Sequence, residues 1–231
     1  MPVTVIRGRA STPRADRRVS AELLDRAAVA DRRIIRVWRP PQHLAVGRLD
    51  IHRDGYDRAV RIAETAGFPP LRRTVGGRAV AVTDRCVALL SMYPIDDPRV
   101  GVEGRYETVR RQVAEALTGL GAEVAAGEPP DSFCPGSHSL RGSGKLAGFG
   151  QRIRSDVALV GGIVLVDDIK PIARVLGPVY QALGYRFEPD SLGSVAASNG
   201  TGDPAAVRSA IESAILDGAS HEIETVADRE T

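Results

Sequence analysis

Apolar residues recur three and four places apart in five stretches of the chain, and the stretches between are short β-branched runs broken by glycine and proline. In "SAELLDRAAVADR", Leu23, Leu24, Ala27 and Ala28 share one face behind Ser20, which predicts a short helix with Ser20 as its N-cap. "DGYDRAVRIAETAGF" repeats the pattern through Ala59, Ile62, Ala63 and Ala66 and stops at Gly67. The longest stripe runs over 103–120 through Tyr106, Val109, Val113, Ala116, Leu117 and Leu120. A fourth helix is predicted over 170–183, and a fifth opens at Asp203 and Pro204 as N-cap and first residue.

Extended runs fill the gaps. "RIIRVW" and "HLAVGR" read as strands joined by a proline turn, "LRRT" and "AVAVT" flank the pair Gly76-Gly77, and "VALLSMYP" adds another strand. "AEVAAG", a loop over 127–143, "KLAGFGQRI" and "SDVALVGGIVLVDD" follow. The glycine pair is compatible with a hairpin turn. Residues 1–18 and 220–231 are charged, lack apolar periodicity and are expected to be peripheral. This order predicts one α+β domain over 1–231, a mixed and mostly antiparallel sheet packed by helices.

Composition narrows the function classes. Of 231 residues, 43% are hydrophobic and 26% charged, so a packed soluble core is expected. The formal net charge of +2 is a small surplus that does not indicate a basic face for nucleic acid. No apolar run reaches the length of a membrane span, no leader pattern opens the chain, and a cytoplasmic location is expected. Neither GxGxxG at a helix start nor GxxxxGK[ST] is present, which argues against dinucleotide-fold and P-loop nucleotide sites. The two cysteines, Cys86 and Cys134, form no ligand cluster, and no metal is expected; Asp167-Asp168 reads as a capping pair for the helix that follows.

The segment "DSFCPGSHSLRGSGKLAGFGQR", residues 131–152, concentrates the candidate chemistry. A free cysteine is most often a small buried hydrophobe. Cys134, however, sits among Asp131, Ser132, Pro135, Gly136 and Ser137, a turn composition that exposes a thiol and aims backbone amides toward it. Cys86, flanked by Val87, Ala88 and Leu89, reads as structural. Lys145 is one of only two lysines, either a solvated strand-end charge or part of a site. His138 lies four residues past Cys134, a spacing that does not by itself make a dyad; a solvated loop histidine is the commoner outcome.

"RVWRPPQHLAVGR", "RRTVGGRAV" and "GKLAGFGQR" occur in an order that resembles the biotin/lipoate protein ligase and octanoyltransferase family, over roughly residues 20 to 200. Within it, "DSFCPGS" most resembles the cysteine-dependent amidotransferases that move octanoyl or lipoyl groups between lipoyl-carrying proteins. The resemblance implies a nucleophile at Cys134, an essential lysine at Lys145, and an acyl pocket lined by Arg73, Gly76, Gly77, Ala147 and Gly148. It further implies lipoyl-domain partners, namely the glycine cleavage H protein or a 2-oxoacid dehydrogenase E2, with acyl carrier protein as another possible donor, and no cofactor. Gly144, Gly150 and Val75 depart from the family pattern, which has lysine, Ala or Ser, and Ser or Gly there. Two rival readings are an ATP- and Mg²⁺-dependent lipoate or biotin ligase, which would tolerate loss of Cys134, and a non-catalytic subunit that binds lipoyl domains.

Overall fold

The computed structural model describes residues 3–73 and 75–226. In chain order the elements are β1 (Val3–Arg7), α1 (Pro13–Val29), β2 (Ile34–Trp38), β3 (His43–Val46), α2 (Arg48–Ile51), α3 (Tyr56–Thr65), β4 (Pro70–Arg72), β5 (Val80–Val82) and β6 (Cys86–Pro94). Then follow α4 (Val102–Gly119), β7 (Ala125–Ala126), β8 (Ser139–Arg141), β9 (Lys145–Ile153), β10 (Val157–Leu165), α5 (Lys170–Ala182), α6 (Pro204–Leu216) and β11 (His221–Thr225). The large sheet has the order β11-β1-β2-β6-β10-β9-β8-β7, and a small sheet has the order β4-β3-β5. Both β11 and β2 run parallel to β1, whereas β2, β6, β10 and β9 pair antiparallel, so the sheet is mixed as expected.

One face of the large sheet is covered by α4 and α6, where Val109, Val113, Leu117, Val207, Ile211 and Ile215 are fully buried against Val37, Leu89 and Val160. The opposite face has two covers. Leu23 and Leu24 of α1 pack on Ile34, Met92 and Leu159, and the small sheet with α5 packs near Cys86 and Leu165. Strand alternation brings Leu159, Gly161, Ile163 and Leu165 of β10 to this face. Gly161 falls between the covers, and its cross-strand partners are Gly150 on β9 and Leu90 on β6, with Arg36 of β2 opposite Leu90. A row lacking two side chains therefore crosses the sheet as a trough.

Several expectations are corrected. Residues 3–7 are not peripheral: β1 lies inside the sheet, with Val5 and Ile6 fully buried. At the other end β11 is polar yet ordered, because Glu222 and Glu224 pair with Arg32 and Arg26 while its backbone pairs with β1; residues 1–2 and 227–231 lie outside the described residues. The first helix begins at Pro13 with Thr12 as N-cap, and Ser20 is internal, donating its hydroxyl to the Asp16 carbonyl. β4 and β5 do not form a hairpin, since each pairs with β3. β2 and β3 are two strands joined through Pro40 and Pro41 as expected, each in a different sheet, whereas the loop before Lys145 contains β8. The cap of α5 is Ile169 without a side-chain bond, and Asp167 pairs with Arg85 at 2.7 Å instead. No described helix is long and apolar enough to cross a membrane.

Candidate active site

Cys134 is placed by hydrogen bonds from three directions. Its own φ is 42°, a left-handed conformation that costs a non-glycine residue roughly 1–3 kcal/mol and persists only when neighbours hold it. The Cys134 N–H donates to the Tyr180 hydroxyl at 2.6 Å, and that hydroxyl donates to the Ala79 carbonyl at 2.9 Å. Tyr180, on α5, is fully buried and so ties the cysteine loop to the segment carrying the glycine pair. Burial raises the Tyr180 hydroxyl, which keeps it a neutral donor.

Lys145, at the start of β9, is also fully buried. Its Nζ donates to the carbonyls of Phe133 and Cys134, at 2.9 and 2.8 Å, and to both carboxylate oxygens of Glu128, at 2.8 and 3.1 Å. All of these partners are acceptors, so the surroundings suit an ammonium with its three donors occupied. Burial lowers the Lys145 pKa, while the bond and charge of Glu128 work against that shift. Glu128 additionally accepts from the Ser132 hydroxyl and from the Gly136 N–H, closing both sides of the loop around the thiol.

The thiol meets the glycine-pair loop directly. Arg73 Nη2 lies 3.3 Å from Cys134 Sγ and also donates to the Arg78 carbonyl. Gly77 has φ +102°, and a Cβ there would lie 2.5 Å from Arg73 Nη2 and 2.6 Å from Sγ. A side chain at 77 would push the guanidinium and thiol apart, so glycine is required for both conformation and space. Gly76 is exposed and Gly148 half-buried, and both line the same cavity.

That cavity, about 480 Å³, follows the trough from Cys134 and Lys145 across Gly148, Gly150, Gly161 and Ile163 to Leu90 and Trp38. Its volume is in the range of a small-ligand site. Beyond Trp38 the wall is a buried polar network: Asp16 takes the Arg36 guanidinium at 2.5 Å and the Trp38 indole N–H at 2.8 Å. Lys145, Arg73 and Gly77 thus meet at Cys134, and Gly76 and Gly148 line the same cavity. Ala147 does not: it is fully buried in the core under α4 and α6, because successive strand residues face opposite sides.

His138 lines the cavity, but its ring stacks on Tyr106 with centroids 3.8 Å apart. Its Nε2 is 3.7 Å from Glu103, and no described hydrogen bond joins it to Cys134. Cys86 is fully buried beside Thr83, and burial pushes its thiol up to about 11. Gly144 stands where a lysine was expected because a Cβ there would lie 2.5 Å from the Leu192 carbonyl carbon. Glu128 and Tyr180 were missed. Glu128 precedes Pro129-Pro130 at the loop's entry, a faint signal, and Tyr180 sits in an apolar helical stripe with none. Among the described residues no group of acidic, histidine and cysteine side chains is arranged to hold a metal.

Over 128 residues the chain is 30% identical to an octanoyl-[GcvH]:protein N-octanoyltransferase of Geobacillus kaustophilus, covering 54% of this chain and 45% of that protein. It is 27% identical over 119 residues to a lipoyl-[GcvH]:protein N-lipoyltransferase of Listeria monocytogenes, covering 51% and 43%. The matched stretch thus spans less than half the length of these relatives. A crystal structure of lipoate-protein ligase A bound with ATP superposes with a TM-score of 0.79 at 17% identity, covering 100% of this chain and 91% of that one. A bipartite lipoate protein ligase from Thermoplasma acidophilum gives 0.71 at 16% identity, covering 100% and 89%. At such identities these two show a shared fold. The sequence profile of the lipoyl protein ligase A/B catalytic domain matches residues 14–197, most of the described fold and every residue gathered around Cys134, and the chain belongs to that family.

Proposed function

We propose that this protein transfers an octanoyl or lipoyl group through a thioester on Cys134 to a lysine of a lipoyl-domain protein. The observation that carries the reading is a half-buried thiol at one end of an apolar trough, with a guanidinium 3.3 Å from its sulfur and a buried lysine holding its loop. In the first half-reaction the Cys134 thiolate attacks the acyl carbonyl of the donor. The carbon–sulfur bond forms, the bond to the donor's nitrogen or sulfur breaks, and the leaving group takes up the proton released by the thiol. In the second, an acceptor lysine amine attacks the thioester, the carbon–nitrogen bond forms, and the amine's proton goes to the departing thiolate. Lys145 acts by position: its ammonium fixes the carbonyls of residues 133 and 134 and supplies positive charge near the sulfur.

The relatives' names point to the glycine cleavage H protein as donor, and any lipoyl domain with an exposed lysine fits as acceptor. The test is intact-mass spectrometry with octanoylated H protein or an octanoyl thioester, without ATP, followed by peptide mapping. A hydroxylamine-labile adduct on Cys134 that chases onto an apo lipoyl domain is the expected result. Acceptor acylation that needs ATP and free acid, with no adduct, would instead establish a ligase. Tight binding of lipoyl domains with no acylation in either condition would reduce the protein to a carrier-binding subunit.

A further inference from the structure

An acyl transfer through Cys134 develops negative charge on the carbonyl oxygen, and that charge needs donors already in place. Several donors near the thiol are engaged elsewhere. The Cys134 N–H is bonded to Tyr180 at 2.6 Å, and the Gly136 N–H points to Glu128 at 3.3 Å. Lys145 Nζ has its donors directed at Glu128 and at two carbonyls, and His138 is held in its stack on Tyr106. The Arg73 side chain differs from all of these. It lines the trough beside the thiol, and its Nε is a buried donor with no hydrogen-bond partner among the described residues. A buried guanidinium N–H left unpaired is costly, and Nη2 of the same guanidinium, 3.3 Å from Sγ, lies within reach of a group bonded to that sulfur. The position is built: the Arg73 backbone N–H is fixed to the Val46 carbonyl, its Nη2 bridges the Arg78 carbonyl and Cys134 Sγ, and Gly77 leaves the space that a Cβ would occupy.

We infer that Arg73 is a catalytic residue, the donor that binds the carbonyl oxygen of the acyl group as it becomes an oxyanion on Cys134. This assignment rests on Cys134 being the nucleophile, and it divides the two cations at the site: Lys145 positions the loop, and Arg73 meets the reacting oxygen. When the thiolate adds to the carbonyl carbon, the carbon–oxygen π pair moves onto oxygen, and the guanidinium donates hydrogen bonds to it. No proton is transferred to that oxygen, because the guanidinium stays charged throughout. Collapse returns the pair to the carbonyl as the leaving group departs.

Alkylation and acylation of the same sulfur separate this role from simple thiol activation. Alkylation by iodoacetamide forms no oxyanion, whereas acylation by an octanoyl thioester does. Both rates are measured on the wild type, Arg73→Gln and Arg73→Lys, with alkylation followed to its pH-independent plateau and circular dichroism used to check the fold. For Arg73→Gln, acylation is expected to fall by about 100-fold or more while plateau alkylation stays within about threefold. Arg73→Lys, which keeps the charge but not the fork, is expected to fall between. Millimolar guanidinium added to Arg73→Gln is expected to restore part of the acylation rate. An equal loss in both reactions, or no loss in acylation, overturns the assignment while leaving the thioester route intact. A wild-type protein that alkylates at Cys134 but takes up no octanoyl adduct overturns the transferase reading and this assignment together.

Discussion

Substituting Gly161 tests whether the trough across the sheet holds the acyl chain. An extended chain starting at Cys134 enters over β9 and reaches β10 after one strand spacing of about 4.8 Å. Each carbon–carbon bond advances such a chain by about 1.25 Å, so roughly four carbons precede Gly161. A Cβ at Gly161 already comes within 2.9 Å of Leu90 Cδ2, and the branched side chain of Gly161→Val would fill the trough at that point. The outer four carbons of an octanoyl group would lose their burial, which at about 0.8 kcal/mol per methylene amounts to about 3 kcal/mol. That corresponds to roughly a 200-fold loss in kcat/KM. A butyryl group ends before the obstruction and should be transferred at nearly the wild-type rate. The assay is kcat/KM for C4, C6, C8 and C10 thioesters, with thermal unfolding to confirm the fold. Equal losses at all four lengths, or an unchanged preference for C8 in a folded variant, would refute the path of the chain across β10.

Other outcomes follow from the same geometry. Cys134→Ser should abolish the octanoyl adduct by intact mass, whereas Cys86→Ser, altering a sulfur that does not reach the cavity, should retain most transfer; equal loss in both would remove the thiol assignment. Tyr180→Phe keeps the ring packed on Tyr185 and Phe187 but deprives the Cys134 N–H and the Ala79 carbonyl of their partner. The expected effect is a loss of about 1–3 kcal/mol in unfolding free energy with a larger fall in kcat than in KM, and unchanged kcat would show that the loop holds itself. Cys86 has its thiol raised by burial from 9.0 to about 11, so the native state keeps a proton that the unfolded chain releases. That stabilisation, up to about 3 kcal/mol, is fully present below about pH 9 and is lost as the pH rises through about 11. Denaturant titrations of wild type and Cys86→Ala between pH 8 and 11.5 should converge as pH rises, and parallel curves would contradict the shift.

The candidate site residues were legible because most are neighbours in sequence: a thiol before Pro-Gly, a lysine eleven residues on, and a glycine pair after an arginine all lie within short motifs. Helices α3 to α6 were legible for a related reason, since an amphipathic stripe is a local property and their apolar faces are continuous. β1 and β11 were not. "VTVIR" and "HEIET" stand at opposite ends of the chain, and their order comes from parallel pairing with each other and from ion pairs with Arg26 and Arg32, which no local pattern encodes. The same limit applies at the site. Tyr180 is 46 positions from the amide it accepts, Arg73 is 61 positions from the sulfur it faces, and Ala147 is turned away from the cavity by strand alternation alone. By itself the sequence determined the candidate groups for the proposed acyl transfer and most of the helices that frame them. Tertiary structure decided which donors hold the loop and which guanidinium faces the Cys134 sulfur, because hydrogen-bond partners are assigned by distance in space and not by separation along the chain.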